Sequence, residues 1–241
     1  MEKNILKVKL KDDIFFKLSL PTWFIENRGE NGVTFKQQFN NLGYIKLPTI
    51  YEKIYDFLST KKELIFIDVG ANLGLSSIPS SINGNKTIAI EPLNDNYIFL
   101  LENKKINNLD FDLLKYAIGE NEGINKIYSG EQTDCASMIL DSVKLIENSE
   151  NYEEVEIKRL DNLIQDDNLF IKIDVQGYEM SVLKSMNKLL DQNKVKFILI
   201  EMENRFLIKG GSSVDEVHTF LTDRGFVYNN FYGDDVLYSK I

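Results

Sequence analysis

From residue 64 onward the chain alternates short apolar runs with longer segments in which apolar residues recur every three or four positions. LIFIDV (64–69) is apolar up to its acid, as a strand buried on both faces should be. TIAIE (87–91), FDLLKYAI (111–118), LFIKIDV (169–175) and KFILIEME (196–203) predict further strands. EEVEIKRL (153–160) alternates like a strand with one wet face. Between these runs the period becomes helical. A helix is expected after the glycines at 70 and 74, with Pro79 kinking or ending it, because an interior proline loses a hydrogen bond and clashes. Asn94 can cap a helix to about Asn107, with Tyr97, Leu100, Leu101 and Ile106 as its buried stripe. Gly177 opens another, with Met180, Leu183, Met186 and Leu190 as its apolar positions. Ser212 or Ser213 can cap a helix over 214–223, ended by Gly225. FVYNNFY and DVLYSKI then make a terminal hairpin around Gly233-Asp234.

Strands alternating with helices imply an α/β fold with a mostly parallel sheet and helices on both faces, since each parallel crossover needs a covering helix. Residues 1–63 break that rhythm. They suggest two short strands, a loop around Trp23 to Gly32 and a helix with Pro48 at its first position, read together as an N-terminal cap on a core spanning 64–241. Residues 119–151 are polar, with short strands expected near Lys126-Ile127-Tyr128 and Ser137-Met138-Ile139. No repeat or proline-rich linker divides the 241 residues, which favours a single domain.

Composition narrows the function classes. The formal net charge is −9, and the lysine pairs 61–62 and 104–105 are isolated beside acids, so no basic stripe for nucleic acid is present. The first residues, MEKNILKVKLKDD, lack a signal peptide's apolar core, and no window approaches the roughly 20 apolar residues of a membrane span. A single cysteine, Cys135, excludes an intrachain disulfide and reads as a small buried hydrophobe. These features fit a cytoplasmic protein, and the richness in Lys, Asn and Ile suggests an AT-rich bacterial genome.

The stretch FIDVGANLGLSSIP (66–79) carries the chemistry. Ligands of open α/β sheets sit beyond the carboxyl ends of the strands, where Asp68, Glu91, Asp174 and Glu201 all fall. A dinucleotide fingerprint would need a glycine where Asn72 stands between Gly70 and Gly74, and no phosphate-binding lysine follows. Asp68 would repel phosphate but suits an ammonium group. Glu91 lies where an acid can accept hydrogen bonds from ribose hydroxyls. An adenosine with a charged amino-acid tail and no phosphate satisfies both, and that ligand is S-adenosylmethionine. An NAD-linked oxidoreductase or epimerase, and a non-catalytic adenosyl-binding module, are the alternatives.

IDVGANLG (67–74), AIEP (89–92), AIGENEG (117–123), VEIKRLDNLI followed by IKIDVQGYEMSVLKS (155–185), and LIEME (199–203) together resemble the FkbM-type S-adenosylmethionine-dependent methyltransferases, in order, over about residues 64 to 225. The resemblance implies a class I methyltransferase (Rossmann-like) fold, a seven-stranded sheet whose last strand is antiparallel. It also adds Pro92 and Ala117 to the cofactor-binding set of Asp68, Gly70, Asn72, Gly74 and Glu91. It implies O-methylation of a small-molecule hydroxyl, with a sugar or nucleotide-linked sugar for surface polysaccharide as the leading acceptor.

Asp174 is the expected catalytic residue, with Glu201 and His218 as partners. In catechol-type O-methyltransferases the same two strand ends hold a divalent cation, so Asp174, Glu201 and His218 also form a candidate metal set. A histidine with two carboxylates favours Fe²⁺ or Mn²⁺, and an all-oxygen site Mg²⁺. Without a metal, Asp174 or His218 would act as general base. Glu179, in the first turns of its helix, can favour the helix's positive end, and Glu203 shares the strand end of Glu201. In the N-terminal part, Trp23, Phe24 and Arg28 are candidates for acceptor contact.

Overall fold

The computed structural model describes residues 3–30, 32–130, 136–144 and 151–241. Strands β1 (Lys3–Lys11) and β2 (Ile14–Pro21) form a hairpin, followed by α1 (Thr22–Asn27), the short pair β3 (Gly29–Glu30) and β4 (Val33–Thr34), α2 (Phe35–Leu42), β5 (Ile45–Lys46) and α3 (Thr49–Ser59). The alternating part holds β6 (Ile65–Val69), α4 (Ser77–Ile82), β7 (Thr87–Ile90), α5 (Asn94–Ile106) and β8 (Asp112–Leu114). A polar excursion contains β9 (Ala117–Ile118), β10 (Gly123–Ser129), β11 (Ala136–Ser137), α6 (Leu140–Lys144), β12 (Asn151–Lys158) and α7 (Leu160–Leu163). The chain then returns with β13 (Leu169–Ile173), α8 (Glu179–Ser185), α9 (Asn187–Asp191), β14 (Val195–Glu201), α10 (Asn204–Lys209), α11 (Val214–Thr222), β15 (Phe226–Tyr232) and β16 (Asp235–Lys240).

Seven of these strands make one mixed sheet in the order β15-β16-β14-β13-β6-β7-β8. The pairs from β14 to β8 are parallel, and β16 runs antiparallel to both its neighbours. The buried strands alternate faces with period two. Ile67, Val69, Ile171, Ile173, Ile198 and Ile200 meet Val182, Leu183, Leu189 and Val217 of α8, α9 and α11 on one side. Phe66, Phe170, Leu199 and Leu237 meet Ile54 and Leu58 of α3 on the other. Helices therefore cover both faces.

The N-terminal sheet, in the order β2-β1-β5, shares a hydrophobic cluster with the alternating part. Val8, Leu18, Leu20 and Phe35 pack with Ala71, Leu73, Ile78, Phe99 and Leu100. Asn103 of α5 fastens the two. Its side chain accepts from Ser19 N at 2.5 Å and donates to Ser19 O at 3.2 Å and Leu73 O at 2.9 Å, and it is fully buried.

Several expectations change. The run 111–118 is not one strand. It splits at Lys115-Tyr116 into β8, in the large sheet, and β9, which pairs with β12 in a separate sheet of order β11-β10-β12-β9. Pro79 neither ends nor kinks α4. It is the third residue of that six-residue helix, in the first turn, where the N–H has no intrahelical partner to lose. Asn94 lies inside α5 rather than capping it; Leu93 is the cap residue. The buried stripe of α5 is Asn96, Phe99, Leu100 and Asn103, because two asparagines find buried partners. The expected loop at 23–32 contains α1, and the helix after Gly177 breaks into α8 and α9 at Met186. Among the described residues no helix is long and apolar enough to cross a membrane.

Candidate functional site

At the carboxyl ends of β6, β7 and β13 lies a cavity of ≈ 350 Å³, within the range of small-molecule sites, about 300–1,000 Å³. Gly70, Asn72, Glu91, Pro92 and Ala117 line it, as do Lys172, Asp174 and Gln176. The N-terminal part contributes Phe24, Arg28, Phe35 and Tyr51, and the excursion contributes Ile127, Ser137 and Met138. Phe24 and Phe35 stack with ring centroids 5.7 Å apart. Trp23 packs edge-on against Phe24 and is not part of the wall.

The loop after β6 is held open by backbone geometry. Gly70 has φ +82°, and a Cβ there would collide with the carbonyl oxygen of Asp174. Asn72 also has positive φ, 51°, a conformation asparagine tolerates better than most residues. Gly74 lets the loop close against Leu100 and Ile78 of the flanking helices and stays off the cavity wall. Asp68 is fully buried. Its Oδ2 accepts from Ser76 Oγ at 2.6 Å and Ser77 Oγ at 2.5 Å, so it shapes the loop through Ser76, which reaches the cavity.

Glu91 ties the loop to the next strand. One oxygen accepts from Asn72 N at 2.8 Å and the other from Leu93 N at 2.9 Å. Burial pushes its carboxyl up to about 7, against those two N–H groups and the Asn96 amide, which favour the charge.

A second group stands at the ends of β13 and β14. Lys172 is 5% exposed and donates to Asp174 Oδ2 at 3.0 Å; Asp68 Oδ1 is 3.8 Å away. Gln176 Nε2 donates to Asp174 Oδ1 at 3.1 Å and to Glu201 Oε2 at 2.6 Å, with Gln176 itself held at φ 53°. Burial works to raise Asp174, but the Lys172 ammonium and the Gln176 amide hold it below the usual carboxylate range. Burial and the neighbouring Asp174 charge raise Glu201 well above that range. The pair thus favours an ionised Asp174 beside a protonated Glu201. Asp235, opposite Glu201 in the β14–β16 register, is raised to about 6 by burial.

His218 does not join this group. It projects from α11 to Tyr238, with Nδ1 3.0 Å from the Tyr238 hydroxyl, and Tyr238 pairs with Ile198, three positions back along β14 from Glu201. The expected metal set of Asp174, Glu201 and His218 is therefore corrected. No group of three or more His, Cys, Asp or Glu side chains that could hold a metal ion occurs among the described residues, and the cation beside Asp174 is the Lys172 ammonium. Glu203 sits at the start of α10, paired with Arg205, and Cys135 falls outside the described residues.

Glu179 has a different task from the one its helix position suggested. Its Oε1 accepts from Val175 N at 3.3 Å and Gly177 N at 3.0 Å, closing the loop that carries Gln176. In the RLDNLI block, Asp161 is a buried anchor that accepts from Arg159 Nη2 at 2.9 Å and Leu189 N at 3.2 Å.

A family model described as the methyltransferase FkbM domain matches residues 68–228, which include the glycine loop, Glu91, Asp174 and Glu201. The chain belongs to this family. No curated protein sequence matches it. Among solved structures, it is similar to an FkbM methyltransferase from Methylobacillus flagellatus KT, at 18% identity over 73% of this chain and 43% of that one, TM-score 0.49. It thus spans less than half the length of that FkbM relative. It is also similar to a methyltransferase from Geobacter sulfurreducens, at 15% identity over 86% of each chain, TM-score 0.48. A third is the magnesium protoporphyrin IX methyltransferase from Synechocystis PCC 6803 with bound SAM, at 11% identity over 88% of this chain and 87% of that one, TM-score 0.48.

The FkbM family implies S-adenosylmethionine, and the residues present fit it. Asn72 Oδ1 is buried on the cavity wall without a hydrogen-bond partner among the described residues, an acceptor awaiting a donor such as an ammonium or a hydroxyl. Glu91 Oε1 accepts from both Leu93 N and Asn96 Nδ2, whereas Oε2 accepts from Asn72 N and retains lone-pair capacity beyond that bond. Sequence reasoning missed Lys172, Tyr51 and Gln176. A signal for Lys172 was available: a lysine inside a strand that is otherwise apolar.

Proposed function

We propose that the protein is an S-adenosylmethionine-dependent O-methyltransferase acting on a hydroxyl of a small polyhydroxylated molecule. A sugar or nucleotide-linked sugar of the cytoplasm, used for surface polysaccharide, is the acceptor class that the family resemblance favours. The observation that carries the reading is that one cavity is walled both by the Gly70–Asn72–Glu91 loop and by the Lys172–Asp174–Gln176 group.

The donor, when bound, supplies a methyl group already activated on a sulfonium. The chain's task is then to align an acceptor oxygen with it and exclude water. Asn72 and Glu91 hold donor hydroxyl and amine groups. Asp174 accepts the hydrogen bond of the reacting hydroxyl and so orients its lone pair. Because Lys172 keeps Asp174 a weak base, the proton leaves late, as the carbon–oxygen bond forms, and ends on the Asp174–Glu201 pair. Phe24, Phe35 and Tyr51 supply ring faces and edges for an acceptor.

Calorimetry tests the donor half. S-Adenosylmethionine should bind, NAD should not, and Glu91→Gln should weaken the first roughly ten- to a hundred-fold, because the ribose loses a charged acceptor. Binding of NAD alone would refute the reading. Mass spectrometry of sugars and nucleotide sugars incubated with donor then identifies the acceptor.

A further inference from the structure

Two side chains on the cavity wall have hydrogen-bonding capacity that the protein itself leaves unused. The Lys172 ammonium carries three donors. Among the described residues it makes one hydrogen bond, to Asp174 Oδ2. Tyr51 reaches the same wall from α3, and its hydroxyl makes no hydrogen bond among the described residues. It stands near enough for the Lys172 charge to act on it. A buried ammonium with idle N–H groups is unfavourable unless some oxygen accepts from them.

We propose that Tyr51 and Lys172 form the acceptor subsite, donating to oxygens of the acceptor while Asp174 accepts from its reacting hydroxyl. The inference rests on the O-methyltransferase reading and deepens it. Two donors beside one acceptor complement an uncharged unit with oxygens on neighbouring carbons. A cationic amine would meet the Lys172 charge, and a purely apolar ring would leave both donors idle. Burial raises Tyr51 above its ordinary value, which keeps the hydroxyl protonated and able to donate. Burial works against the Lys172 charge, but Asp174, Asp68 and Asp235 outweigh it and keep the ammonium protonated. Tyr51 lies outside the residues 68–228 matched by the family model. Acceptor placement is then partly a property of this chain's own N-terminal part.

The competing role for Lys172 is that of a counter-ion for Asp68 and Asp174 alone. Tyr51→Phe separates the two, since it removes one hydroxyl and no charge. The protein is saturated with S-adenosylhomocysteine, which cannot react, and titrated by calorimetry with methyl α-D-glucopyranoside, methyl α-L-rhamnopyranoside and UDP-glucose. At least one probe should bind. Tyr51→Phe should weaken that binding roughly ten-fold with the S-adenosylhomocysteine affinity unchanged, and Lys172→Met should weaken it further. If Lys172→Met does not fold, Tyr51→Phe still decides. No binding by any probe, or wild-type probe affinity in Tyr51→Phe, would overturn the subsite. Failure of S-adenosylhomocysteine itself to bind would overturn the donor assignment and the subsite with it, and the first titration tells the two failures apart.

Discussion

Glu179→Gln should remove a defined part of the pH dependence of stability. Glu179 is 1% exposed, its Oε2 has no partner among the described residues, and burial pushes its carboxyl from 4.5 up to about 7. Below pH 4.5 both folded and unfolded chains are protonated there and nothing is lost. Between 4.5 and 7 the unfolded chain releases its proton first, so the folded state binds more protons and stability falls as pH rises. Above 7 both are ionised and the penalty is constant. With those two values the penalty is about 1 kcal/mol at pH 5 and about 3 kcal/mol at pH 8, a change of about 2 kcal/mol. Glutamine keeps the oxygen that accepts from Val175 and Gly177 but cannot ionise. Its buried amide adds an offset that is the same at every pH, and the slopes due to Glu91 and Asp235 are common to both proteins. The Glu179 charge also helps to raise Glu201, so its removal relieves Glu201 and acts in the same direction. Urea unfolding of wild type and variant at several pH values between 5 and 8 reads this combined effect. The stability of the variant relative to wild type should rise by about 2 kcal/mol across that range. A difference constant to within about half a kcal/mol would refute the argument.

Two other substitutions probe the joints of the structure. Asn103→Leu deletes three buried hydrogen bonds and strands Ser19 N, and should destabilise by roughly 2–4 kcal/mol in denaturant melts; a loss under about 1 kcal/mol would show that the N-terminal hairpin is held by packing alone. His218→Ala should leave S-adenosylmethionine affinity unchanged by calorimetry and cost the Tyr238 hydrogen bond together with the ring contacts to Tyr228 and Tyr238, about 1–3 kcal/mol; a ten-fold loss of donor affinity would return His218 to the site.

The large sheet was legible because parallel strands buried on both faces leave little room for polar residues, so Ile65–Val69 and Leu169–Ile173 stand out. The glycine loop was legible because its positive φ values demand glycine or asparagine. What failed shares a cause: buried polar residues held by specific hydrogen-bond partners, distant in sequence for Asn103 but within five residues for Asn96, Lys172 and Glu179. Asn96 and Asn103 occupy the buried stripe of α5, Lys172 sits on a core strand, and Glu179 caps a loop, each through contacts no local period reveals. His218 was placed at the site because its helix follows the Glu201 strand closely, but nearness in sequence does not say which end of that strand the helix covers. The break at Lys115-Tyr116 was hidden because β8 and β9 read as one continuous run although they serve different sheets.

The seam between the N-terminal sheet and the glycine loop bears on what can fold alone. The similarity to the family begins at residue 68, but Ala71 and Leu73, on the loop itself, are packed against side chains from residues 8 to 35. A fragment excised at that boundary would bare the underside of the donor loop and the whole face that Ile54 and Leu58 cover. The stretch matched by the family model therefore has part of its apolar surface covered by residues that precede it. On the proposed acceptor subsite, transplanting this chain's acceptor preference into another member would mean moving the first 60 residues together with the surface they rest on.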